Sequence, residues 1–118
     1  MTRYVTGIRV GRDAIERCEV LDEWQAMAKA IGAEWCEFTA GFLDGRRYLV
    51  VCDEEYHVRQ EYRRGDPVTD FDNHEIFGTC LIFRTDRGGD TASLKEDEIA
   101  CLLAKLPQCV RHIGEGTA

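Results

Sequence analysis

The chain has 118 residues, 44% of them hydrophobic and 31% charged, with a formal net charge of −7. That length suits one domain, spanning residues 1–118, whose core needs no staples. The acidic balance repels nucleic-acid phosphates and argues against direct DNA or RNA contact; it fits a basic protein partner or plain colloidal solubility. No run approaches the ~20 apolar residues of a membrane span. The opening MTRYVTGIRVGRDA has no apolar signal core, so a cytoplasmic protein without membrane contact is expected.

In chain order, residues 3–10, RYVTGIRV, read as a first strand and Gly11-Arg12-Asp13 as a turn. Ile15 to Val20 alternates in type and reads as a short second strand, so the two form an N-terminal hairpin. Asp22 and Gln25 have capping-box spacing and open a helix. Trp24, Met27, Ala28 and Ile31 recur at helical spacing as its sheet-facing stripe, and Gly32 is its stop.

Residues 34–54, EWCEFTAGFLDGRRYLVVCDE, carry the strongest local signal: two aromatic and β-branched runs flank Asp44-Gly45, a hairpin turn pair. A two-residue turn pairs Leu43 with Arg46, Phe42 with Arg47, Ala40 with Leu49 and Phe38 with Val51. A longer or bulged turn would shift this register by one residue. Strand alternation puts Phe38, Ala40, Phe42, Leu49 and Val51 on one face, read as core. Trp35, Glu37, Thr39, Gly41, Tyr48, Val50 and Cys52 form a mixed face, read as half-wet and suited to docking.

Residues 53–76 hold Gly65, Asp66-Pro67 and Asp72-Asn73 and read as a long irregular loop, in which Tyr56 to Tyr62 forms a strand or a loose turn. Phe77 to Thr85, FGTCLIFRT, has no polar alternation over Cys80 to Phe83, so it reads as a central strand covered on both faces. DRGGD at 86–90 is a turn, and Ser93 with Glu96 is a capping box that opens a second helix. Ile99, Leu102, Leu103 and Leu106 make its buried stripe, Pro107 ends it, and 107–118 is a tail with a frayed end. The order implies an α+β domain: a mainly antiparallel sheet of about five strands with two helices packed on one face.

Chemistry is sparse. The six cysteines, at 18, 36, 52, 80, 101 and 109, form no CxxC pair and mostly sit in apolar runs, as buried free thiols do. Cys109-x-x-His112 lacks the second half of a zinc motif, and Asp53, Glu54 and Glu55 read as a solvated strand end rather than a cation site. Cys52 beside acidic residues has a raised thiol pKa and makes a poor nucleophile. Arg46, Arg47, Arg59, Arg63 and Arg64 interleave with Tyr56 and Tyr62, but nearby carboxylates dilute them into a loop with its own ion pairs. No catalytic residue, metal or cofactor is expected from these patterns.

The runs GFLDGRRYLVVCDEE and NHEIFGTCLIFRTDRGGDTASLKEDEIACLL resemble a small family of uncharacterised proteins carried by phages, plasmids and conjugative elements of gut anaerobes. The likeness covers roughly residues 15–106, judged by motif order. The chain departs from the family in its longer 56–72 segment. Small acidic proteins on mobile elements are often inhibitors of host defence, anti-CRISPR proteins among them, so the resemblance implies a protein-binding inhibitor of a basic nuclease and no enzyme. Its expected partner surface comprises Trp35, Tyr48, Asp53, Glu54, Glu55, Tyr56, Tyr62, Asp66, Asp70 and Asp72. Two other readings stand beside it. One is a small-ligand or enzymatic site under the 53–76 loop, with Tyr56, His57, Asp72 and His74 nearest. The other is a structural subunit that oligomerises through a sheet edge or the hairpin's mixed face.

Overall fold

A computed structural model describes residues 3–56 and 63–114. Its centre is the apolar run of β7 (Cys80–Thr85), where Cys80, Leu81, Ile82 and Phe83 are all fully buried. β7 lies between β1 (Tyr4–Val10) and β4 (Arg46–Asp53), antiparallel to both. β2 (Ile15–Leu21) and β3 (Cys36–Leu43) complete the sheet in the order β2-β1-β7-β4-β3, and β8 (Thr91–Ala92) adds a short pair to the end of β7. The fold is α+β, with a mostly antiparallel sheet and two helices.

The helices lie on opposite faces, not on one as the element order implied. Leu81 and Phe83 join Val5, Val51, Met27 and Ile31 under α1 (Trp24–Ala30). Cys80 and Ile82 join Ile8, Val10, Val50, Ile99, Leu102 and Leu106 under α2 (Glu96–Lys105). A strand apolar on both sides needs cover on both sides, and one helix supplies each.

The central hairpin keeps its expected register from Leu43↔Arg46 to Phe38↔Val51. Asp44 and Gly45 both take positive φ, 51° and 79°, the pairing that matches strand twist in a two-residue turn. The expected faces are reversed over most of its length. Phe38 and Phe42 are exposed, Ala40 and Leu49 half-buried, and only Val51 of that set is core. Gly41, Tyr48, Val50 and Cys52 of the mixed face are buried. The reason is coverage: α1 has seven residues, about 10 Å of helix, and reaches Val51 but not the turn end.

Residues 63–76 of the expected 53–76 loop are not irregular, while the strand or loose turn expected over Tyr56 to Tyr62 lies, past Tyr56, outside the described residues. β5 (Pro67–Asp70) and β6 (Glu75–Phe77) form a hairpin, and β9 (Val110–His112) from the expected tail pairs with β5. This small sheet packs Phe71, Ile76 and Val110 into the α2-side core. A 3₁₀ turn, Leu106–Gln108, carries Pro107 between α2 and β9.

Helix entry also differs from expectation. α1 is preceded by Glu23, and Asp22 pairs with Arg3 at 2.9 Å instead of capping. Ser93 Oγ accepts from Thr6 N–H at 2.9 Å and ties the α2 approach to β1, while Glu98 Oε1 accepts from Lys95 N–H at the helix start. Leu103 faces solvent rather than joining the buried stripe.

Gly41 marks where the small sheet meets the large one. A Cβ there would sit 2.7 Å from the Phe71 ring and 2.8 Å from Val50 Cγ2. Gly41→Ala is expected to lose about 1–3 kcal/mol through overpacking, read from urea unfolding midpoints. An unchanged midpoint would show that Phe71 does not dock there.

Candidate functional site

Three features bear on function: an aromatic surface beside β3, the outer edge of β3, and a polar cleft by the 53–56 turn. Trp24, at the start of α1, stacks on Trp35, just before β3, with ring centroids 5.2 Å apart and planes 9° from parallel. Their exposures are 42% and 50%. The Cys36 thiol donates to Trp24 C=O at 3.6 Å and holds the helix start against the strand. Phe38 at 46% and Phe42 at 36% extend the apolar surface along the same side of β3. Exposed Glu23, Glu34 and Glu54 lie beside this surface in sequence or across the hairpin, and Glu37 points from the opposite face of β3. Residues 32–45 contain no Lys or Arg, and exposed Arg47, opposite Phe42 on the same face, bounds the surface at its turn end. Burial and then the Glu54 charge push the Cys36 thiol up.

β3 is the last strand of the sheet, and half of its outer edge is occupied. Asn73 Oδ1 accepts from Phe42 N–H at 3.0 Å, and Asn73 Nδ2 donates to Ala40 C=O at 2.9 Å. Asp72 N–H donates to Phe42 C=O at 2.7 Å, and His74 Nε2 lies 3.0 Å from Ala40 C=O. Asp72 Oδ2 accepts from Asp44 N–H at 3.0 Å. The β5–β6 turn thus stands in for a neighbouring strand over residues 40–44. Antiparallel geometry turns the N–H and C=O of Phe38, and the N–H of Ala40, to the same outer side. Among the described residues these three groups have no hydrogen-bond partner.

A cleft of about 410 Å³ lies at the end of the hairpin away from its turn, next to Trp35 in the chain, lined by Arg12, Glu34, Asp53, Glu55, Arg63 and Asp66 among others. Its floor is a closed network. Arg12 pairs with buried Asp66 at 3.0 Å, Tyr56 Oη donates to the other Asp66 oxygen at 2.9 Å, and Arg12 also donates to Arg64 C=O at 2.7 Å. Gly78, at φ 86°, permits this: a Cβ there would meet the Tyr56 ring at 2.9 Å. The network ties the β1–β2 turn to β5 and accounts for Asp66 structurally.

Of the expected partner residues, Trp35 is exposed, but on the α1 side rather than with Tyr48. Tyr48 is buried in the α2-side core and presents no docking surface. Asp53, Glu55, Tyr56 and Asp66 come together at the cleft, where Tyr56 and Asp66 are buried, and Glu54 is exposed beside Trp35. Asp70 and Asp72 are exposed at the β5–β6 turn, away from the cleft lining. Tyr62, His57 and Arg59 lie outside the described residues. His74 borders a smaller cleft of about 160 Å³ with Cys52 and Glu75. Among the described residues no group of three His, Cys, Asp or Glu side chains is placed to hold a metal ion, and no helix is long and apolar enough to cross a membrane. Trp24, Phe42 and Asn73 were not foreseen as site residues. Trp24 satisfied the helical core period, and nothing local marks an Asn whose role is set by strand residues 31 and 33 positions away.

All six thiols are free. Cys52 is pushed up as expected, chiefly by burial and then by Glu37. Burial also pushes Cys80 up to about 12 and Cys18 up to about 11. Cys101, expected to be buried, faces solvent, because it lies on the outer side of α2.

Comparison of the chain with protein-family models, curated proteins and solved structures found no match.

Two outcomes follow from this geometry. Tyr56→Phe is expected to lower stability by about 1 kcal/mol, and Asp66→Ala, which also unpairs Arg12, to lower it further; equal unfolding midpoints for all three proteins would break the network assignment. A thiol whose folded pKa is raised stabilises the fold at pH below its ordinary value, and that stability is lost as pH climbs toward the folded value. For Cys18 the loss falls between pH 9.0 and about 11. Cys18→Ala should flatten part of the alkaline decline in thermal midpoint, and an unaltered decline would contradict the burial of this thiol.

Proposed function

We propose that the protein is a non-enzymatic binding module that docks a basic protein partner on the Trp24–Trp35–Phe38 surface. The resemblance to mobile-element proteins makes a host-defence nuclease the partner of choice and an anti-CRISPR-like inhibitor the role. The single observation that carries this reading is the exposed indole stack beside Phe38, bordered by carboxylates. Exposed rings of this size are costly to leave in water, and clustered apolar surface with a polar border is a mark of docking sites. Trp residues also concentrate binding energy at the centres of interfaces. The net charge of −7 complements a nucleic-acid-handling protein and would compete with its natural ligand.

The polar cleft supports a second reading, a small-ligand or enzymatic site beneath the 53–56 turn. Arg63 lines it, so Arg63→Ala should abolish any ligand-induced rise in thermal midpoint while leaving protein docking intact.

The test of the first reading is coprecipitation and DNA-cleavage inhibition against a panel of purified defence nucleases. Trp35→Ala is expected to weaken inhibition about tenfold or more without altering the thermal midpoint by more than a few degrees. No retained nuclease, with cleavage unimpaired across the panel, would contradict the proposal.

A further inference from the structure

The outer edge of β3 is guarded over only half its length. Asn73, Asp72 and His74 occupy the outward groups of Phe42 and the carbonyl of Ala40. Among the described residues the N–H and C=O of Phe38 and the N–H of Ala40 remain open beside an exposed phenyl ring. The opposite edge of the sheet is handled differently. β2 bears exposed Glu16, Arg17 and Glu19, and Arg17 makes a two-pronged pair with Glu96 at 2.9 Å for each contact. Charged side chains of that kind are the usual defence of an exposed edge. β3 has Glu37 as its only charged residue, and no Lys or Arg.

We infer that the open half of the β3 edge is a strand-addition site, which takes a short extended segment of the partner carrying alternate apolar and basic residues. The inference rests on the docking reading and adds its mode. An added strand would place every second side chain against Phe38 and the indole stack, and the intervening ones against Glu37. Glu34 and Glu54 would meet basic residues at the segment's end. Asn73 stops the strand at Ala40, so the site accommodates about five residues, near 17 Å of chain. Like charge decides against a second copy of this chain as occupant, since each copy carries −7.

The probe is a capped seven-residue peptide of alternating lysine and valine, titrated into the whole protein and followed by backbone amide shifts. Two further peptides carry N-methyl groups on all valines or on all lysines. Only one of these two sets of N–H groups faces β3 in an added strand. Shifts centred on Trp35 to Ala40 are therefore expected, with one methylated peptide losing about tenfold or more in affinity and the other matching the parent. Equal affinities for the three peptides, or shifts elsewhere, would overturn the inference and leave only charge attraction.

Ala40→Pro supplies the protein-side test. It removes one N–H that has no partner among the described residues and blocks the edge with its ring, a placement edge strands tolerate. It should abolish peptide binding at an unchanged thermal midpoint. Against a nuclease that the natural protein inhibits, Ala40→Pro that inhibits fully while Trp35→Ala fails would overturn strand addition and keep the docking surface. Full inhibition by both variants would remove the docking surface as well.

Discussion

The constraint on which everything else depends is that β7 has no polar side in its first four residues. Cys80 to Phe83 must be dry on both faces and paired on both edges, which fixes β7 at the centre of the sheet between β1 and β4. It also forces one helix to each face. Because α1 is short, its layer ends before the β3–β4 turn, and Phe38 and Phe42 are left uncovered on that side. On the other side α2 and the small sheet together reach the turn, so Tyr48, Val50 and Leu43 are buried there. The exposed aromatic surface is thus a direct consequence of unequal cover on the two faces.

The same imbalance sets how the sheet ends. A second hairpin, β5–β6, is held against β3 by Phe71 seated over Gly41 and by the Asn73 amide paired to the strand backbone. A side-chain amide offers a donor and an acceptor spaced like a peptide group, so it can close an edge without adding a strand. It closes only the length it spans. What remains open coincides with the aromatic surface, and hydrogen-bonding groups, apolar rings and carboxylates meet within one short stretch of chain. That coincidence is what distinguishes this surface from the polar cleft, whose buried carboxylate is already satisfied by Arg12 and Tyr56.

Local rules made the hairpin legible. Asp44-Gly45 dictated its turn and register, and the unbroken apolar run at Cys80 dictated its neighbour in the middle of the sheet. Gly32 ended α1 as its position required. Which face of the hairpin is core was not legible, because that depends on how far a helix reaches and not on the strand's own pattern. Phe38 and Phe42 looked like core by type, and only coverage shows otherwise. β5, β6 and β9 were hidden for another reason: they have three or four residues each and begin with Pro67 or follow turn formers, and β9 gains its stability only by pairing with β5, from Thr69↔Val110 to Pro67↔His112, far along the chain. Trp24 obeyed the helical period, yet it stacks outward because Trp35 offers a flat partner at the surface.

The half-guarded edge is the centre of this account, and amide hydrogen exchange of the free protein measures it directly. The Phe42 N–H, held by Asn73, should exchange slowly, and the Phe38 and Ala40 N–H groups fast, with Asn73→Ala bringing Phe42 to their rate. Protection of Phe38 and Ala40 equal to that of Phe42 would mean that the edge is already occupied, and would contradict the account.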